Sequence, residues 1–86
     1  MTHTEILQTI STVVAEEVGA EGLELQRETT AADVAGWDSL AHVRIIVSLE
    51  QMLGVRFRIG ELASARNVGE LADRIASQLM PSRRPP

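Results

Sequence analysis

"AGWDSLAHVRIIVSLEQMLG", residues 35–54, reads as a single helix with both ends marked. Asp38 is a favoured N-cap and Gly54 a favoured stop, so the spacing predicts a helix from Ser39 to about Leu53. On a wheel of ~100° per residue, Ile45, Ile46, Leu49, Met52 and Leu53 form one broad apolar arc, assigned to a core. Leu40, Val43 and Val47 form a second, separate strip. Ser39 and Glu50 lie on one border between them, and Ala41, Arg44, Ser48 and Gln51 on the other. A helix in a small bundle needs one buried face. The second strip, beside Ser39, is therefore expected to be a docking surface, the alternative being that neighbours bury both arcs.

Working outward, Ile6, Ile10, Val13, Val14 and Val18 recur at helical spacing, with Thr2 or Thr4 to cap the start and Gly19 to stop it. Gln8, Thr9, Thr12 and Glu16 occupy the opposite side. Residues 19–37 have no sustained period and make a long connection for so small a chain. Leu23, Leu25, Val34 and Trp37 are its candidate anchors. After Gly54, "VRFRI" alternates like a strand but has no partner to pair with, so it reads as a loop pinned by Val55, Phe57 and Ile59. "GELASA", residues 60–65, can form a short helix. A last helix begins at Asn67, with Glu70 placed as in a capping box and Val68, Leu71, Ala72, Ile75 and Leu79 facing inward. The expected fold is all-α: a small bundle of three main helices plus one short helix, with a long loop between the first two. Residues 1–80 form the helical domain, and the proline-rich residues 81–86 a disordered tail.

Composition limits what such a bundle can do. Among 86 residues only Trp37 and Phe57 are aromatic, so the core is aliphatic and comparatively deformable. No cysteine is present, which removes disulfides, thiolate metal sites and a cysteine nucleophile. No run is long enough to cross a membrane, and Glu5, Glu16 and Glu17 interrupt the apolar start, so a soluble cytoplasmic chain is expected. The net charge of −4 argues against nucleic acid as a partner. Residues 1–43 carry eight acids against one Arg, and residues 44–86 four acids against seven Arg. A basic protein partner could use the first half, although charge alone favours a plain solvated surface.

Ser39 admits three readings. With Asp38 it can simply start a helix, and those two residues alone favour that. With His42, three residues on, it suggests a hydrolase. A triad, however, needs the acid behind the imidazole, an oxyanion hole and a cleft, whereas Asp38 adjoins Ser39 and His42 leans toward the core arc. His42 fits better as a partly buried residue bonded to the long loop, and His3 does not join it in a metal site. Thirdly, Ser39 can be an attachment point. A serine at a helix N-terminus suits a phosphodiester, since free N–H groups and the helix dipole favour negative charge there.

"GWDSLAHVRIIVSLEQMLGVRF", with Phe57, Glu61-Leu62 and "NVGELADRI" at their places downstream, resembles the acyl carrier proteins over about residues 4–79. The resemblance implies that Ser39 carries 4′-phosphopantetheine, with Asp38 and Leu40 completing the motif. It implies a non-catalytic, monomeric carrier holding acyl groups as thioesters on the arm's thiol. A phosphopantetheinyl transferase and acyl-loading, condensing or tailoring enzymes are the implied partners, with Leu40, Val43, Arg44, Val47 and Glu50 helping to select them. Fatty-acid carriers typically have a strongly acidic second helix; here Ala41, His42 and Arg44 follow the serine, and Gln51 follows Glu50. A discrete carrier for a specialised polyketide or modified-acyl pathway is therefore expected. The alternatives are a housekeeping fatty-acid carrier and a helical interaction module that never receives the arm.

Overall fold

The computed structural model describes residues 2–57 and 65–79. Three α-helices appear among these residues: α1 (His3–Val18), α2 (Ser39–Leu53) and α3 (Val68–Leu79), with a 3₁₀ turn at Ala31–Asp33 inside the long first connection. The anticipated short helix at 60–65, the pinning role of Ile59 and the tail at 81–86 fall wholly or mainly outside the described residues.

Helix α1 is the central element, packing against both α2 and α3. It starts with a reciprocal cap: the Thr2 hydroxyl accepts from the Glu5 N–H at 3.1 Å, and the Glu5 carboxylate accepts from the Thr2 N–H at 2.7 Å. That backbone bond to Thr2 also holds the Glu5 carboxyl below its usual range. At the other end Gly19 turns left-handed, with φ 72°, and the Ala20 N–H reaches back to the Ala15 carbonyl. Ile6, Ile10, Val13 and Val14 are buried on one face, as their spacing requires. Against them lie Ile45, Ile46 and Leu49 of α2, and Val68, Leu71, Ala72 and Ile75 of α3.

Two expectations for α2 need adjusting. Met52, assigned to the core arc, is 59% exposed. The chain reverses at Gly54 and brings Val55 into the core, so the last turn of the helix needs less cover and Met52 stays on its outer edge. Ala41, placed on the border, is instead fully buried.

The long connection is stitched to the bundle along its length. Leu25 and Trp37 are buried, and Leu23 and Val34 pack against the same core. The Leu25 N–H donates to Ser11 Oγ, and the Thr29 and Arg27 carbonyls accept from the Val68 and Gly69 N–H groups at 2.8 Å each. Here the backbones approach so closely that a Cβ on Gly69 would sit 3.0 Å from both the Cβ and the carbonyl oxygen of Arg27. Arg27 also grips Asp73 of α3 with both terminal nitrogens, at 3.1 and 2.9 Å. The same bonds hold the Asp73 carboxyl below its usual range.

Asn67 caps α3 as anticipated, its Oδ1 accepting from the Glu70 N–H. The expected reciprocal bond is shifted by one residue: the Glu70 carboxylate accepts from the N–H and Nε of Arg66. An adjacent cation draws it there in preference to the Asn67 N–H.

Candidate functional site

Asp38, Ser39, Leu40 and His42 come together where the long connection enters α2. Asp38 is extended, with φ −100° and ψ −175°, and its Oδ1 accepts from the Ala41 N–H at 2.8 Å. Its carbonyl accepts from the His42 N–H at 2.8 Å. The cap thereby satisfies the orphan N–H of Ala41, and the bond from His42 is the first regular bond of the helix. The N–H groups of Ser39 and Leu40 have no acceptor among the described residues. Helix α1 starts in a similarly open way, so openness alone does not distinguish this end; an exposed serine as its first residue does.

His42 is not hydrogen-bonded to Ser39 as a catalytic base would be. Its Nδ1 accepts from Trp37 Nε1 at 3.0 Å, and the two rings stack at 24° with centroids 6.0 Å apart. The ring is half-buried, and that desolvation lowers its pKa from the ordinary histidine value. Asp38 is engaged with the helix backbone and not with the imidazole. The triad arrangement is therefore absent among these residues, and His42 is the loop-bonded residue anticipated. Trp37 is an anchor, 8% exposed.

Beside Ser39 runs an open groove walled by Ala31, Ala32, Trp37, Asp38, His42 and Ala65. Along α2, Leu40, Val43 and Val47 are 67%, 57% and 43% exposed, so the second apolar strip is uncovered in this chain. Its flanking charges are tied to neighbouring parts of the chain. Arg44 Nε donates to Glu17 Oε2 of α1 at 3.1 Å, and Glu50 Oε2 accepts from the Phe57 N–H at 2.9 Å. Sequence reasoning singled out Arg44 and Glu50 but not these partners; Glu17 lies 27 residues away and carries no local signal.

These residues fit a phosphodiester-linked arm. The serine is exposed at the positive end of a helix, two backbone donors are open beside it, and small side chains border a groove leading away. Comparison with known proteins decides the family: residues 8–75 match the phosphopantetheine attachment site family. The chain belongs to the acyl carrier protein family. It is 32% identical to an acyl carrier protein of Acidothermus cellulolyticus, over 85% of this chain and 87% of that one. It is 29% identical to acyl carrier protein 2 of Ralstonia nicotianae, over 92% and 98%. In structure it resembles the holo acyl carrier protein of Geobacter metallireducens, with a TM-score of 0.79 and 38% identity over 86% of this chain and 85% of that one. The prosthetic group is thus 4′-phosphopantetheine, and the protein is a carrier rather than a catalyst. It works with transferases and biosynthetic enzymes, and the reading as an interaction module without an arm is set aside. No described helix is long and apolar enough to cross a membrane.

Proposed function

We propose that Ser39 is the attachment residue and that α2 presents the arm and its cargo to partner enzymes. The observation that carries this is the exposed Ser39 at the first position of α2, with the uncovered strip Leu40, Val43 and Val47 running from it. Asp38 fixes the helix start through the Ala41 N–H, so the hydroxyl leaves the protein from a defined point. The Ser39 and Leu40 N–H groups stabilise negative charge at the phosphodiester. The arm, once attached, supplies a thiol that forms thioesters, chemistry a cysteine-free chain cannot offer by itself.

The pathway reading follows from α2. Its partner face is apolar, with Arg44 joined to Glu17 and Glu50 to the Phe57 N–H, rather than strongly acidic. That supports a specialised polyketide or modified-acyl pathway over housekeeping fatty-acid synthesis. Efficient loading and elongation by fatty-acid synthase enzymes, with α2 unchanged, would reverse this preference.

Intact mass tests the attachment itself. Incubation with coenzyme A and a broad-specificity phosphopantetheinyl transferase should add one phosphopantetheine to the wild type and none to Ser39→Ala. The Ser39→Ala variant should keep its stability to within ~0.5 kcal/mol, because an exposed hydroxyl is removed. Addition to the variant would move the attachment elsewhere.

A further inference from the structure

We propose that His42 is a positioning residue for the prosthetic arm: its Nε2–H donates a hydrogen bond to the phosphodiester on Ser39, and Trp37 fixes the tautomer that makes this possible. The inference rests on the reading of Ser39 as the attachment residue.

The tautomer follows from the donor inventory. An indole N–H can only donate. Since Trp37 Nε1 lies 3.0 Å from His42 Nδ1, that nitrogen must be the acceptor. A neutral imidazole then carries its single proton on Nε2, and burial of the ring favours the neutral form. Position follows from helix geometry. Residues three apart share a helix face, with Cβ atoms ~5–6 Å apart, and helical side chains lean toward the N-terminus. His42 therefore lies over the Asp38–Ser39 turn, where Trp37 meets it.

The walls of the groove identify His42 by elimination. Ala31, Ala32 and Ala65 offer no polar side-chain atom. The indole N–H of Trp37 is already engaged, and the Asp38 carboxylate is an acceptor held by the helix backbone. Among these described walls, His42 Nε2 is the one side-chain donor left for an anion on Ser39. Two charged groups border the same cavities as the ring: Asp38, from its own helix start, and Arg66, which is paired with Glu70.

Nuclear magnetic resonance of ¹⁵N-labelled protein, before and after loading, tests the proposal. In the unloaded protein the His42 ring nitrogens should show the Nε2–H pattern, and Trp37→Phe should release a population with the proton on Nδ1. Loading should move the His42 titration midpoint upward, because an anion now faces the ring. The ³¹P signal of the loaded protein should titrate with the same midpoint. In the loaded His42→Gln variant, which keeps an N–H donor, the ³¹P signal should stay near its wild-type position above that midpoint and lose its pH dependence. His42→Phe should displace it. An unloaded ring with its proton on Nδ1 overturns the proposal without any variant. So does a His42 midpoint unmoved by loading, or a ³¹P position shared by the Gln and Phe variants. Absence of any mass gain at Ser39 overturns the attachment reading together with this one, whereas a mass gain with an unmoved midpoint overturns this one alone.

Discussion

The N-termini of α2 and α3 are built from similar parts and finished differently. Each has a short polar cap, Asp38 or Asn67, whose side chain accepts from the N–H three residues on and whose carbonyl accepts from the N–H after that. In α3 the remaining two donors, on Val68 and Gly69, are closed by the Thr29 and Arg27 carbonyls. In α2 the remaining two, on Ser39 and Leu40, have no acceptor among the described residues. Every donor in the first turn of α3 serves the fold, and Gly69 lets a second backbone come close enough to do so. The start of α2 keeps only what is needed to hold the helix and leaves its first turn to something from outside.

The largest expected effect would break this comparison on the closed side. Gly69→Ala places a methyl group 3.0 Å from the Arg27 backbone and should cost ~1–3 kcal/mol through overpacking. Thermal unfolding of the unloaded protein measures it, and the folded fraction should still accept the arm. Next come the caps. Asp38→Ala and Asn67→Ala should each cost ~1 kcal/mol of stability in urea unfolding. Only Asp38→Ala should also slow transfer to Ser39, seen as a lower initial rate of mass gain with folded protein. Equal rates for the two would remove the functional half of the comparison.

A smaller effect depends on pH. Because folded His42 resists a proton, the unfolded chain takes one up first as pH falls below ~6.5, the unperturbed histidine value. The stability linked to neutral His42 is thus complete above that pH and lost as pH falls toward the lowered folded value. Urea midpoints at pH 5.5 and 7.5 should differ in the wild type, and differ less in His42→Gln. The smallest effect belongs to the exposed Arg27–Asp73 pair. Arg27→Gln should lower the urea midpoint slightly, with the difference shrinking at high salt. The dependence contributed by Asp73 should appear only as pH falls below ~3.9, since its folded value is depressed.

How far these features could be read in advance depended on distance along the chain. Helix α2, its Asp38 and Gly54 ends and its exposed strip were legible because they repeat within one element. Trp37 and His42, five residues apart, could be anticipated as anchor and loop-bonded histidine. The Arg27–Asp73 clamp spans 46 residues, and the tight approach at Gly69 depends on where a loop without any period happens to lie. Neither leaves a local pattern. Met52 was misassigned because periodicity describes a helix as though it were covered along its whole length; the Gly54 turn and Val55 end that cover early. The serine was legible as chemistry only through its surroundings, since a cap and an attachment point share the same residues.

The Trp37–His42 contact has an optical consequence. The chain holds one tryptophan and no tyrosine, so its near-ultraviolet emission comes essentially from one address, two residues before Ser39. A charged imidazole stacked on an indole quenches that emission, whereas a neutral one leaves it bright. Dimming of the native protein in mild acid should therefore report the protonation of His42 without any label. If an anion on Ser39 steadies that charge, the dimming should begin at a higher pH once the arm is in place.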